Sequence, residues 1–227
     1  MVYLNQYTHR NQVTPAQLDH LLANGWRHFG TEFFRYSLAV DQGAIRRVMP
    51  LRIRLANFVL SRSQRRVLAG NRDTELLISP AAIDPVVEDL FARHKNRFAD
   101  NVPDSIYDFL SPQPATIPCR NDRLTVCHDD RVIAVGFLDL GQQAASAVYA
   151  MFDPDESSRS LGIYMILRGI DYAKELGLKY YYPGYAYVEP SFYDYKKRFS
   201  GLEYLDWQAG WKPFNLNLSF EPTGDGL

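Results

Sequence analysis

The chain has 227 residues, 46% of them hydrophobic, 14% aromatic and 22% charged, with a formal net charge of -1. That composition excludes a disordered chain and supplies apolar residues for one large domain or two small ones, while the charge balance gives no whole-molecule pull toward a polyanion. No apolar run approaches the roughly 20 residues of a bilayer span, and the first residues, MVYLNQYTHRNQ, lack an apolar leader core, so no membrane and a cytoplasmic location are expected.

Thr14-Pro15 joins a helix cap to a proline at the first helical position, and Asn24-Gly25 is a stop, which predicts a short helix over 15–24. Residues 26–40 read as extended with a break near Gly30, and 48–58 contain the alternation of a strand. Ser61 can cap a helix that ends at Gly70, and 72–79 read as a further strand. Helical periodicity runs from Ile83 to Phe98, with a shorter helix expected over 104–111. The segment 111–121 holds three prolines and reads as a linker.

Beyond it, 124–128 and 132–140 flank His128-Asp129-Asp130-Arg131, a hairpin signal, and 144–152 make a third strand. Residues 159–176 read as a helix, with Ile163, Ile166, Leu167, Ile170 and Ala173 on one face and Gly177 as its stop. A strand over 179–183, a helical stretch over 190–200 and a last strand over 202–207 follow. This order of strands around one helix resembles the central part of a GNAT-type acyltransferase. The expected fold class is α+β: a GNAT-like mixed sheet around a central helix, with an N-terminal α+β half. The expected division is 1–110 for the N-terminal half, 111–121 for the linker, 122–216 for the GNAT-like half and 217–227 for a tail.

Three constellations could carry chemistry. The first is a basic block: from Gln42 to Arg72 there is no Asp or Glu, while eight arginines fall within it. Arg52 and Arg54 share a strand face; Arg62, Arg65 and Arg66 share a helix face. Guanidinium forks suit phosphate oxygens, so the block reads either as a polyphosphate or nucleic-acid surface, or as a solvated face paired with acids elsewhere. The second is the cluster Tyr180, Tyr181, Tyr182, Tyr185, Tyr187, Tyr193 and Tyr195, whose rings either stack on unpaired bases or form an aromatic core. The third is Arg159-Ser160-Leu161-Gly162-Ile163-Tyr164 at a helix start. It matches an (Arg/Gln)-x-x-Gly-x-(Gly/Ala) pyrophosphate loop at Arg159 and Gly162 only, because Tyr164 stands where that loop needs a small residue. Two cysteines eight residues apart and histidines without HxxxH or HExxH spacing support no metal site, and no cofactor is expected.

Four blocks then identify a resemblance. LLANGWRHFGTEFFR (21–35), PLRIRLANFVLSRSQRRVLAGNRD (50–73), AVYAMFDPDESSRSLGIYMILR (147–168) and YYYPGYAYVEPSFYDYKKRF (180–199) are similar, in order, to the aminoacyl-tRNA–protein transferases: arginyltransferase and the bacterial leucyltransferase acting on N-terminal Asp and Glu. The resemblance implies a charged tRNA as donor and the N-terminal amine of a protein or peptide as acceptor, joined by aminolysis of an ester. An ester donor in place of CoA also accounts for Tyr164. It implies that Arg52, Arg54, Arg62, Arg65 and Arg66 hold tRNA phosphate or an acidic acceptor side chain. Ser160, Gly162 and Tyr164 would shape the donor pocket. Tyr185, Tyr195 and Lys196 would line the reacting end, where Lys196 could bind a carboxylate. Two segments depart from the family pattern: 37–49 lacks the family's cysteines, and AYVEPSFYD (186–194) replaces a Pro-Gly-Cys-x-Lys-Met stretch. These departures leave open a small-molecule amine as acceptor, or a relic that binds RNA or protein without catalysis.

Overall fold

A computed structural model describes residues 3–41, 43–98 and 102–215. The 217–227 tail lies outside the described residues. A strand, β1 (Asn5–His9), leads into α1 (Pro15–Ala23). This helix starts where Thr14 and Gln17 close a capping box: Gln17 N donates to the Thr14 hydroxyl, and Thr14 N donates to Gln17 Oε1 at 2.8 Å. Leu18, Leu21 and Leu22 then share one face and are buried. The extended stretch that follows divides into β2 (Arg27–Phe29), β3 (Glu32–Tyr36) and β4 (Leu38–Asp41). β1, β3 and β2 form a small antiparallel sheet in that order. β4 makes a hairpin with the first residues of β5 (Ala44–Arg54), in the segment where the family cysteines are missing.

α2 (Arg62–Ala69) has the expected cap: Ser61 and Gln64 close a second capping box, and Gly70 ends the helix. β6 (Glu75–Pro80) follows, then α3 (Pro85–Lys95), capped by Asp84 Oδ1 accepting from Val87 N at 2.9 Å. The helix expected over 104–111 is a single 3-10 turn, Ile106–Asp108. β7 (Asn121–His128) and β8 (Arg131–Leu140) are joined by Asp129 and Asp130, with φ of 48° and 60°, the two left-handed residues of a tight hairpin. β9 (Ala144–Phe152), α4 (Leu161–Glu175) and β10 (Tyr180–Tyr187) complete the crossover unit. The stretch read as helical over 190–200 is a 3-10 segment, Phe192–Arg198, followed by β11 (Leu202–Asp206) and β12 (Gly210–Pro213).

The large sheet runs β12-β11-β5-β10-β9-β8-β7-β6. All neighbours are antiparallel except β9 and β10. This corrects the expected halves. β5 and β6 precede residues 111–121, yet β5 lies between β10 and β11, and β6 pairs with β7. Residues 111–121 are no free linker either, since Ser111, Cys119 and Asn121 are buried.

α4 packs on one face of the sheet through Leu161, Met165, Leu167, Ile170 and Ala173, meeting Met49, Leu51 and Ile53 of β5 and Leu138 of β8 in one core. Gly169 permits the approach: a Cβ there would lie 2.8 Å from the Tyr181 ring. α3 covers the other face, where Val87, Leu90 and Phe91 meet Val135, Phe137 and Met151. Among the described residues no helix is long and apolar enough to cross a membrane.

Candidate active site

β9 and β10 run parallel but pair only where Ala144, Ala145 and Ser146 face Tyr180, Tyr181 and Tyr182. Beyond that point β9 stays with β8 and β10 stays with β5. The cause is local. Pro183 has no N–H to give to a ladder, and Gly184 takes φ +98°, a conformation glycine tolerates and branched residues do not. The β10–β5 register shifts at the same place, between Tyr181 and Gly184. The two strands therefore part, and the seam between them opens beside the start of α4.

Two cations stand at the opening. Arg27, at the start of β2, donates from Nη1 to Ser146 Oγ at 2.6 Å and from Nη2 to the carbonyl of Ala147, the first β9 residue beyond the pairing with β10. Lys196 comes from the 3-10 segment and donates from Nζ to the carbonyl of Tyr185 on β10 at 3.1 Å. Both flank Gly184: a Cβ there would lie 3.3 Å from Lys196 Nζ and 3.9 Å from Arg27 Nη2. Both side chains keep some exposure while their charged ends lie deep. Burial, and then the positive charge of Arg27, lower the Lys196 ammonium from its ordinary range to about 7.

Behind Arg27 lies a buried polar network. His28 sits 2.8 Å from Asp139 Oδ2 through Nε2, and its Nδ1 is 2.8 Å from the Gly30 carbonyl. Asn121 Nδ2 donates to Asp139 Oδ1 at 2.8 Å. Burial opposes the charge of Asp139, but His28, Asn121 and Arg27 outweigh it and hold the carboxyl below its usual range. His28, Cys119 and Asp139 are the one group of metal-type donors among the described residues, with ligand atoms within 4.8 Å of one another. The hydrogen bonds of His28, Asp139 and Asn121 tie β2 to β7 and β8 beneath Arg27. Burial raises the Cys119 thiol far above its ordinary value, so it is no nucleophile.

An aromatic wall flanks the seam. The Tyr185 hydroxyl donates to Gly25 O at 2.6 Å, and its ring meets Tyr36 and Phe34 edge-on. Burial raises Tyr185, and pushes Tyr195 and Tyr36 up to about 12, so none of these phenols is a base near neutrality. Tyr181 and Tyr182 are core residues. Tyr193 and Phe192 are 38% and 73% exposed, and Tyr193 lies edge-on to Tyr187. Tyr193 is the exposed tyrosine of the cluster, and the Phe192 ring lies beside it at 5.9 Å.

Three expected site residues are relocated. Arg52 and Arg54 both bind Glu203, at 2.6 and 2.9 Å, and Arg52 is clamped between the rings of Tyr180 and Trp211 at 4.2 Å each. They sit on one face, as their spacing requires, but that face is paired with β11 and offers no free fork. Tyr164 is buried against the sheet and meets Thr74 Oγ1 at 3.0 Å, so its ring packs α4. By contrast Arg62, Arg65, Arg66 and Arg72 are exposed, and among the described residues none of them forms a salt bridge. Arg66 lines a cavity of about 500 Å³ with Arg159 and Ser160, between α2 and the start of α4. Arg159 is held by Asp73 and Glu156. Ser160 takes φ 54°, and a Cβ on Gly162 would touch only Phe152, at 3.6 Å. Sequence reasoning missed Arg27, although it is the arginine of the Gly-Trp-Arg block on which the resemblance rests.

A sheet that parts beside the start of its crossover helix, with polar groups gathered in the opening, defines the class: a GNAT-type acyltransferase fold. The C-terminal domain of a lysylphosphatidylglycerol synthetase from Agrobacterium fabrum shares it, with a TM-score of 0.50 at 15% identity over 78% of this chain and 54% of that one. Within that class, residues 88–206 match the family model described as arginine-tRNA-protein transferase, C terminus. An aspartate/glutamate leucyltransferase of Acinetobacter baumannii is 33% identical over 97% of this chain and 80% of its own length. One from Stenotrophomonas maltophilia is 34% identical over 87% and 80%. The chain belongs to the aminoacyl-tRNA–protein transferase family.

Proposed function

We propose that this chain moves an aminoacyl group, leucyl or arginyl, from charged tRNA to the N-terminal amine of a protein or peptide that begins with Asp or Glu. The observation that carries the reading is the opened β9–β10 seam with Arg27 and Lys196 at its floor, in a member of this family. The donor approaches over α2, where Arg62, Arg65 and Arg66 present exposed forks to the phosphate backbone. Ser160 and Gly162 leave the start of α4 open to the terminal ribose, and Tyr193 and Phe192 offer faces to the terminal bases. Tyr185 and Tyr195 wall the reacting end. The donor ester is already activated, so holding the amine in line and stabilising the oxyanion supply most of the catalysis; the charge of Arg27, held by Ser146 and Ala147, supports a role opposite that oxyanion.

Label transfer from tRNA charged with radioactive leucine or arginine tests this. Peptides starting with Asp or Glu should gain label over peptides starting with Ala, Lys or Arg. Binding of charged tRNA without transfer to any peptide would overturn the acceptor, and absence of tRNA binding would overturn the donor.

A further inference from the structure

We propose that Lys196 is the base of this transfer: its ε-amine takes a proton from the acceptor's N-terminal ammonium, beside Arg27 as a fixed cation. The inference rests on the donor and acceptor classes proposed above.

The Tyr185 carbonyl and the Tyr193 ring can both receive an ammonium, and it is the neighbouring Arg27, with no carboxylate to offset it, that favours the neutral amine. Lys196 Nζ makes one hydrogen bond, to the Tyr185 carbonyl, which a neutral amine donates while keeping its lone pair free. Among the described residues it has no ion pair. The groups that face it are Arg27 from β2, the Tyr185 carbonyl from β10, and the Tyr193 ring from its own segment at 4.8 Å. The carboxylate next in sequence, Asp194, is bound to Lys197 at 2.7 Å, and Asp139 is bound to His28 and Asn121. A second full positive charge next to buried Arg27, with no acid between them, is electrostatically costly, and losing a proton relieves it. Burial first, and then Arg27, bring Lys196 to about 7, close to the ordinary α-amine range of about 7.7–8.0, where proton transfer between the two is nearly balanced.

The step balances as follows. The acceptor ammonium gives one proton to Lys196 Nζ. The freed nitrogen pair forms the C–N bond while the carbonyl π pair moves to oxygen, opposite Arg27. The intermediate collapses, the C–O bond to ribose breaks, and the ribose oxygen takes the proton from Lys196. The extra proton left on the new amide nitrogen passes to solvent, so one proton is released per transfer.

Lys196→Arg and Lys196→Met separate this role from anion binding, because arginine keeps the cation and cannot lose its proton near neutrality. Both variants should lose about 10²–10⁴-fold in kcat with an ordinary peptide acceptor. An acceptor carrying an N-terminal aminooxy group, already neutral in mildly acidic buffer, should restore most of that loss in both. Labelling of the full-length protein with an amine-selective acylating reagent should show Lys196 reaching half-maximal reactivity near pH 7. A Lys196→Arg enzyme with wild-type kcat, an unrelieved deficit with the aminooxy acceptor, or half-maximal labelling in the ordinary lysine range would each overturn the base role alone. A wild-type protein that transfers nothing from either charged tRNA would instead remove the underlying reading.

Discussion

A lysine kept near neutrality weakens the fold that holds it. In the unfolded chain Lys196 binds its proton at the ordinary value of 10.5; in the folded protein burial and Arg27 lower this to about 7. A depressed folded value adds no cost above the unfolded one. As pH falls from 10.5 toward 7 the unfolded chain binds the proton more tightly, and stability is lost throughout that window. Near neutral pH the full cost would be about 4 kcal/mol, and part of it is returned by the exposure the side chain keeps and by its bond to Tyr185. Lys196→Met should therefore raise stability by about 1–2 kcal/mol while removing activity, which is about 2–8 °C in Tm for a chain of this size. Calorimetry at neutral pH and again near pH 10 would show the gain shrinking as pH rises; a lower Tm at neutral pH would mean the hydrogen bond outweighs the buried charge. At this scale the sequence shows residue type and spacing but not partners. The same-face spacing of Arg52 and Arg54 was legible, yet their acid, Glu203, lies about 150 residues away. The burial of Tyr164 was legible in principle, because it stands three residues before Leu167 and six before Ile170 on the face that packs.

The elements with complete local signals formed where expected: α1 behind Thr14-Pro15, α2 between Ser61 and Gly70, and the β7–β8 hairpin over its two aspartates. The 3-10 segment 192–198 and the strand β12 carry weaker signals, because short elements are set by what they pack on. α2 is the element with the plainest functional consequence. Its buried side is Gln64, and its arginines face outward, so changing them should leave the fold intact. Replacing Arg62, Arg65 and Arg66 together by Ala should weaken tRNA binding and flatten its salt dependence. Each lost phosphate contact lowers the slope of log K against log salt by about 0.7–0.9, so the triple variant should lose about 2–3. Filter binding across a salt series measures this directly. A triple variant with the wild-type slope would take α2 out of the donor surface.

The part of the molecule least visible in the sequence is how its halves interlock. A proline-rich stretch between two runs of elements reads as a boundary, because sequence distance says nothing about which strand fills which gap in a sheet. Here β5 fills the place between β10 and β11, and its Met49, Leu51 and Ile53 are 1%, 1% and 0% exposed. Burying three such side chains contributes about 1.5–3 kcal/mol each, which together approaches the whole stability of an ordinary domain. Without β5, β10 and β11 would present unpaired edges over an uncovered core. A fragment of residues 122–227 should therefore show no cooperative thermal transition, and the intact chain should unfold in one. The seam depends on the same interlock, since Arg27 comes from before the proline-rich stretch while Ser146, Gly184 and Lys196 come from after it. Mixing separately made 1–110 and 111–227, which together keep the buried 111–121 stretch, should restore folding and transfer together. Cooperative unfolding of 122–227 alone would show that the C-terminal strands form a core of their own and that Arg27 is added to a seam already built.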